Sequence, residues 1–192
     1  MTDIRCGLVL VMAALMAGCA TPPATRFYTL LPPANATAVP PVGEAAFELL
    51  PVRVPSQVDV PQLVVRRSNG EFGVLETHQW VAPLPDELRL ALSAALVAAL
   101  DQQDLYRLAR PEALPVTRVQ VELRRFEARP GAGVDLQALW SVRPAEGEAL
   151  SCAGGARATA AGEGIGGLVE GYQQALQTLA VAIAASVRNA RC

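Results

Sequence analysis

Polar and apolar positions alternate along this chain with two different periods, and the switches between them mark out its elements. In "TRVQVELRRFEA" the residues Val119, Val121 and Leu123 fall on one side, and Arg118, Gln120, Glu122 and Arg124 on the other. A period of two is that of a strand with one buried face. "RPGAG" reads as a turn, and "VDLQALWSVRP" answers with Val134, Leu136, Ala138, Trp140 and Val142 on one face. "ALSCAGGARATAAG" is a weaker, glycine-rich strand that completes a meander. Earlier in the chain, "VPQLVVRRSNGEFGVLETHQWVAPL" predicts a hairpin with arms Leu63–Arg66 and Phe72–Trp80. Its turn is Asn69-Gly70, a pair that tolerates positive φ. Phe27, Tyr28 and Leu30 predict a short strand, and "AFELLPVRVP" another that Pro51 interrupts, as at an edge or a bulge.

The period changes in "PDELRLALSAALVAALDQQ". Leu88, Leu92, Leu96 and Leu100 recur every fourth residue beside Ala91, Ala95 and Ala99, which is one face of a helix. Asp86 and Glu87 in its first turn suit the helix dipole. A second stripe, Leu168, Tyr172, Leu176, Leu179, Ile183 and Val187, predicts a last helix over about 168–188. The order implies an α+β single domain: a mostly antiparallel sheet with two amphipathic helices on one face.

The first residues follow neither period. Gly7 to Gly18 is apolar and uncharged, and Arg5 precedes it. A spanning helix needs roughly 20 apolar residues. This shorter run matches the core of a secretory signal. Met16-Ala17-Gly18-Cys19 resembles a bacterial lipobox, although Met16 stands where Leu is commoner and Asp3 offsets Arg5. The resemblance implies cleavage before Cys19 and lipid on its thiol and new amino terminus. An ordinary cleaved signal and a buried first helix are the alternatives. "ATPPATR" then reads as a polar tether. Ala20 after the cysteine, by analogy with sorting rules, favours the outer membrane. The divisions are therefore 1–18 signal, 19–26 lipidated cysteine and tether, and 27–192 folded domain.

Composition narrows the partners. The 192 residues carry a formal charge of −2, and all 16 basic residues are arginine. Nothing resembles the basic footprint of a nucleic-acid binder. Beyond Cys19 only Cys152 and Cys192 remain, as a disulfide in an oxidising compartment or as two separate thiols. With one histidine far from them, no metal-ligand spacing exists and no metal is expected.

Catalytic candidates fail one by one. His78 is the only base of the usual type, and no G-x-S-x-G elbow is present. Gly162, Gly164 and Gly167 fit G-x-G-x-x-G, but a dinucleotide site also needs a parallel strand after the helix and an acidic residue roughly 20 positions on. The simpler reading is a turn into the last helix. No enzyme and no cofactor is expected.

Taken in order, the lipobox, "FYTL", "VRVP", the "VPQLVVRRSNGEFGVLETHQWVAPL" hairpin and a helix resemble the auxiliary lipoproteins of MCE-type transport systems. The match is most specific from Val52 to Leu84, and the Pro-rich stretch 32–43 has no counterpart. In particular the chain is similar to the Pqi-type (paraquat-inducible) ABC-transport auxiliary lipoproteins. That resemblance implies a part without chemistry at the periplasmic face of the outer membrane. Its partner would be an MCE-domain protein that bridges the periplasm and carries lipid, and it would assemble as a homo-oligomeric ring. Exposed edge strands with Arg53, Arg66 and Arg67 are candidate partner contacts. Trp80 is either a contact hot spot or a core residue. A structural lipoprotein of other envelope machinery is the alternative function, and a small hydrolase built on His78 a remote third.

Overall fold

The longest strand organises the chain. A computed structural model describes residues 23–33, 43–162 and 164–192. The lipobox, Cys19 and most of the Pro/Ala loop lie outside the described residues. In chain order the elements are β1 (Arg26–Tyr28), β2 (Ala46–Leu49), β3 (Gln62–Arg66), β4 (Phe72–Trp80), α1 (Leu84–Leu100), β5 (Val116–Arg129), β6 (Gly133–Arg143), β7 (Leu150–Ala158) and α2 (Gly164–Asn189). The α+β class and the meander β5-β6-β7 match the sequence reading. The single sheet does not: the strands form two sheets, β1-β4-β3 and β2-β5-β6-β7. Both are mixed, because β1 lies parallel to β4 and β2 parallel to β5. Parallel partners are reached only through long connections, so no local turn signal announces them.

One edge of β5 pairs with β6 from Arg118 to Arg129. Its other edge is taken in succession. β2 occupies the first part, with Leu50 N–H donating to the Val119 carbonyl at 2.9 Å. Arg53 comes next, its N–H on Val121 O at 3.1 Å and its own carbonyl accepting from Leu123 N–H at 2.8 Å. β3 then lies against the far part of β5. Between Leu123 and Arg125 the register with β6 shifts, which leaves Arg124 as an extra residue. The bulge changes the phase of the alternation. Val119, Val121 and Leu123 point inward before it, and Phe126 and Ala128 after it.

The helices cover the inward face. Leu88, Leu92 and Leu96 of α1 are fully buried, as are Ala175 and Ile183 of α2. α1 ends where Asp101 turns left-handed at φ 55° and its N–H caps the Val97 carbonyl. α2 begins at Gly164, one turn earlier than its leucine stripe suggests. It packs on β5, β6 and β7 and against α1. Trp140 on β6 donates its indole N–H to Ser186 Oγ of α2 at 3.2 Å.

Two carboxylates, half-buried Asp104 and buried Glu87, fasten the remaining strands. Asp104, just after α1, accepts from Ser93 Oγ (2.6 Å), Arg89 Nη1 (3.0 Å), Tyr106 N–H (3.0 Å) and Leu49 N–H (3.1 Å). The outer edge of β2 is thereby closed by residues 103–105. Glu87 reads in the sequence as a solvated helix-start charge, yet it is only 2% exposed. Its carboxylate accepts from Thr29 Oγ1 at 2.7 Å and Leu30 N–H at 2.8 Å. Gln173 of α2 holds the same segment through the carbonyls of Thr29 and Leu31, both at 3.1 Å.

Replacing Glu87 by Ala strands a buried N–H and a hydroxyl. We expect a loss of about 2 kcal/mol in urea unfolding, with Glu87→Gln losing less because its amide oxygen still accepts.

Candidate docking surface

The candidate contacts fall at very different depths. Arg66, the last residue of β3, grips Glu127 of β5 with two nearly parallel bonds. Nε lies 2.7 Å from Oε2 and Nη2 2.6 Å from Oε1. Its guanidinium also covers the Phe72 ring, 4.3 Å from the centroid, and Nη1 donates to the Asn69 carbonyl at 2.9 Å. A bidentate arginine–carboxylate pair is among the stronger polar contacts a protein makes. The hydrogen bond from Arg66 holds the Glu127 carboxyl below its ordinary value, against burial, with further help from the charges of Arg66, Arg125 and Arg129. The same bond raises Arg66. Arg66 is therefore spent on joining the two sheets and is not a free contact.

Trp80 is also inward. It is 5% exposed, and its ring meets Phe126 and Tyr172 edge-on at 6.2 and 6.3 Å. Phe126 and Tyr172 stack at 4.0 Å with their rings almost parallel. Of the two readings for Trp80, the structure supports the core residue, which removes it as a hot spot. Tyr172 was legible only as one more residue of an apolar stripe. Its hydroxyl is buried without a hydrogen-bond partner. Burial, followed by the nearby Glu127 charge, pushes that hydroxyl well above its ordinary value.

Arg67 and Arg53 remain at the surface. Arg67 is 57% exposed and pairs loosely with Glu71 at 3.6 Å. Arg53 is fixed through its backbone to β5, and its side chain is exposed. A shallow depression on the outer face of the larger sheet adds what the sequence did not single out. It is lined by Arg124, Gln137, Leu139, Gly155 and Arg157, and forms because Gly155 offers no side chain opposite Gln137.

Cys152 of β7 and Cys192 form a disulfide, with Cα atoms 5.5 Å apart. It ties the chain beyond α2 back to β7. Closing 40 residues restricts the unfolded chain by an amount worth about 4 kcal/mol in the chain-entropy account.

The chemical candidates are not assembled. The His78 ring stacks on Tyr28 and lies 3.1 Å from the neighbouring Thr77 hydroxyl. No carboxylate among the described residues is within hydrogen-bonding reach to orient it. The glycine motif follows β7, which runs antiparallel to β6, so it does not open a parallel βαβ unit. No cluster of metal-ligating side chains occurs among the described residues. None of their helices is long and apolar enough to cross a membrane.

The result is an α+β domain whose strongest polar contacts join its own layers. A family model described as the ABC-type transport auxiliary lipoprotein component matches residues 28–184. The chain belongs to that family, which is an auxiliary transport component and not a family of enzymes. No curated protein matches the chain. Among solved structures, one described as the crystal structure of an uncharacterized protein is similar with a TM-score of 0.68 at 19% identity. It covers 86% of this chain and 99% of its own. Protein XCC0632 from Xanthomonas campestris, described under family model DUF330, is similar with a TM-score of 0.57 at 17% identity, over 84% and 90% of the two chains. At these identities the likeness is one of fold.

The lowered Glu127 sets a pH dependence. A carboxylate depressed in the folded state stabilises fully above its unfolded value, about 4.3, and that stability is lost as pH falls below it. Arg66→Met should therefore be less stable than the parent at neutral pH. Its stability should also fall less steeply on acidification below about pH 4. Urea unfolding across pH 2–7 checks both, and parallel curves for the two proteins would contradict the assignment.

Proposed function

We propose that this chain is a non-enzymatic, lipid-anchored component of an MCE-type system that moves lipid between the two membranes. It would be held at the periplasmic face of the outer membrane by acylated Cys19, and would dock the periplasm-spanning MCE-domain protein as a homo-oligomeric ring. The family match over residues 28–184 carries the transport part of this reading. The Met16-Ala17-Gly18-Cys19 lipobox supports the anchor, and the Val52–Leu84 resemblance supports the MCE assignment. A domain whose polar groups are committed to its own joints suits a docking role. Anchoring by acyl chains is energetically sufficient, since each buried methylene contributes about 0.8 kcal/mol and a triacylated cysteine carries several chains.

The test is a pull-down from detergent-solubilised membranes with the full-length protein, paired with Cys19→Ala and read by mass spectrometry. We expect an MCE-domain protein to co-purify, and the variant to leave the membrane fraction. Recovery of envelope-assembly proteins without an MCE protein would replace the transport reading with a structural one. Arg67→Glu is the suitable surface variant, because Arg66→Glu would break the sheet joint and confuse folding with docking.

A further inference from the structure

We infer that a second copy of this chain docks on the free edge of β7, the two β7 strands pairing antiparallel across a twofold axis at Gly155. The inference supplies one contact of the homo-oligomer proposed above and rests on that part of the reading.

The ladder shows which backbone groups reach that edge. Val119 and Val121 turn their carbonyls, and Leu123 its N–H, to the β2 side of β5. Backbone groups alternate sides along a strand, so Gln120 and Glu122 bond to β6, through Ser141 and Leu139 opposite them. Leu136, Ala138 and Trp140 of β6 then face β7, where Ala156, Gly154 and Cys152 stand opposite. The N–H and C=O groups of Ser151, Ala153, Gly155 and Arg157 are left pointing outward. β7 ends the larger sheet, and no backbone hydrogen bond among the described residues reaches these groups. Cys192 Sγ lies 3.4 Å from the Ser151 carbonyl oxygen, so the disulfide-held tail covers that end. Ala153, Gly155 and Arg157 remain open.

Proteins guard such edges with short strands, prolines, bulges or charges. The β2 edge of the same sheet is closed by residues 103–105. β7 has nine residues, no proline, no register shift and a single charge, Arg157, which Asp135 already holds at 3.2 Å. The strand is also complementary to itself. A register centred on Gly155 sets Ala153 against Arg157 of the second copy, and Gly155 against its counterpart. Each open residue then makes both of its backbone bonds. The two Arg157 positions stand four residues apart along the pair, about 13 Å, so no like charges oppose each other.

α2 favours a whole second domain over a lone foreign strand. It lies over β6 and β7. Strands are about 4.8 Å apart, so its image across the axis runs about 10 Å away, the spacing of packed helices. A Cβ at Gly171 would lie 3.2 Å from the Thr159 carbonyl oxygen, and Ser186 Oγ is 3.7 Å from Cys152 Sγ, so α2 follows β7 along its length. From 171 to 186 the helix, and from 159 to 152 the strand, each span about 23 Å, which puts Gly155 beneath residues 178–182. Thr178 and Ala182 are exposed there, on the flank that Gly171 shares. The other flank is turned to Thr29 through Gln173 and to Ala99 through Arg188. Small side chains on the free flank let the two helices meet at that spacing.

The experiment uses full-length lipidated protein, in its native membranes and purified in detergent, with the Cys152–Cys192 bond intact. Thr178→Cys is treated with a short bismaleimide, and Leu90→Cys, exposed on α1, is the comparison. We expect a self-crosslinked dimer at Thr178, several-fold stronger than at Leu90. Ala153→Pro removes an outward N–H that the fold does not use, and should abolish that crosslink with far-UV circular dichroism unchanged. Light scattering of the parent in detergent is read first. A monomeric parent refutes the homo-oligomer itself. In an oligomeric parent, crosslinking no stronger at Thr178 than at Leu90, or joining Thr178 only to a different chain, overturns the β7 contact. So does a Thr178 crosslink that survives in folded Ala153→Pro.

Discussion

The free edge of β5 is the constraint on which the other elements depend. A strand of fourteen residues presents a long row of backbone donors and acceptors, and one neighbour satisfies only half of them. β6 takes one edge. The other is filled piecewise by β2, by Arg53 and by the approach of β3. Each piece comes from a different stretch of chain, so the amino-terminal third is drawn along β5 in order. Where the ladder gives out beyond the bulge, a side-chain link takes over, and Arg66 on Glu127 joins β3 to β5.

That joint explains why the interior is aromatic there. Trp80 from the smaller sheet, Phe126 from the larger and Tyr172 from α2 meet behind the ion pair. Three layers converge, and large flat rings fill the wedge between them. The partnerless Tyr172 hydroxyl is the cost of that arrangement, about 1–3 kcal/mol for a buried unsatisfied group. Glu87 and Gln173 complete the closure by clamping residues 29–31 between the two helices.

The limits of the sequence reading follow from the same geometry. Alternation exposed β5 and β6, the leucine stripes exposed both helices, and Asn69-Gly70 marked the hairpin, because each of these signals is local. The parallel pairings of β1 and β2 are contacts between distant segments and leave no local period, so two sheets were read as one. Glu87 reads as a helix-start charge and Glu127 stands out in no pattern, since burial of a carboxylate depends on what another segment brings to it. Arg66 and Arg67 are adjacent in sequence and identical in type, yet one is committed to Glu127 and the other is open. Trp80 was ambiguous for the same reason, as its partners Phe126 and Tyr172 come from later elements. For Arg53, the exposed side chain follows from the strand pattern, whereas the backbone bridge to β5 was out of its reach.

Committed polar joints and membership of a transport auxiliary family support the proposal of a part that is anchored and docks a transport partner. The most direct test is hydrogen exchange on the full-length lipidated protein in vesicles, with and without the proposed MCE-domain partner. The account predicts that the partner adds protection on the domain beyond what the lipid alone gives. No added protection anywhere on the domain would contradict it.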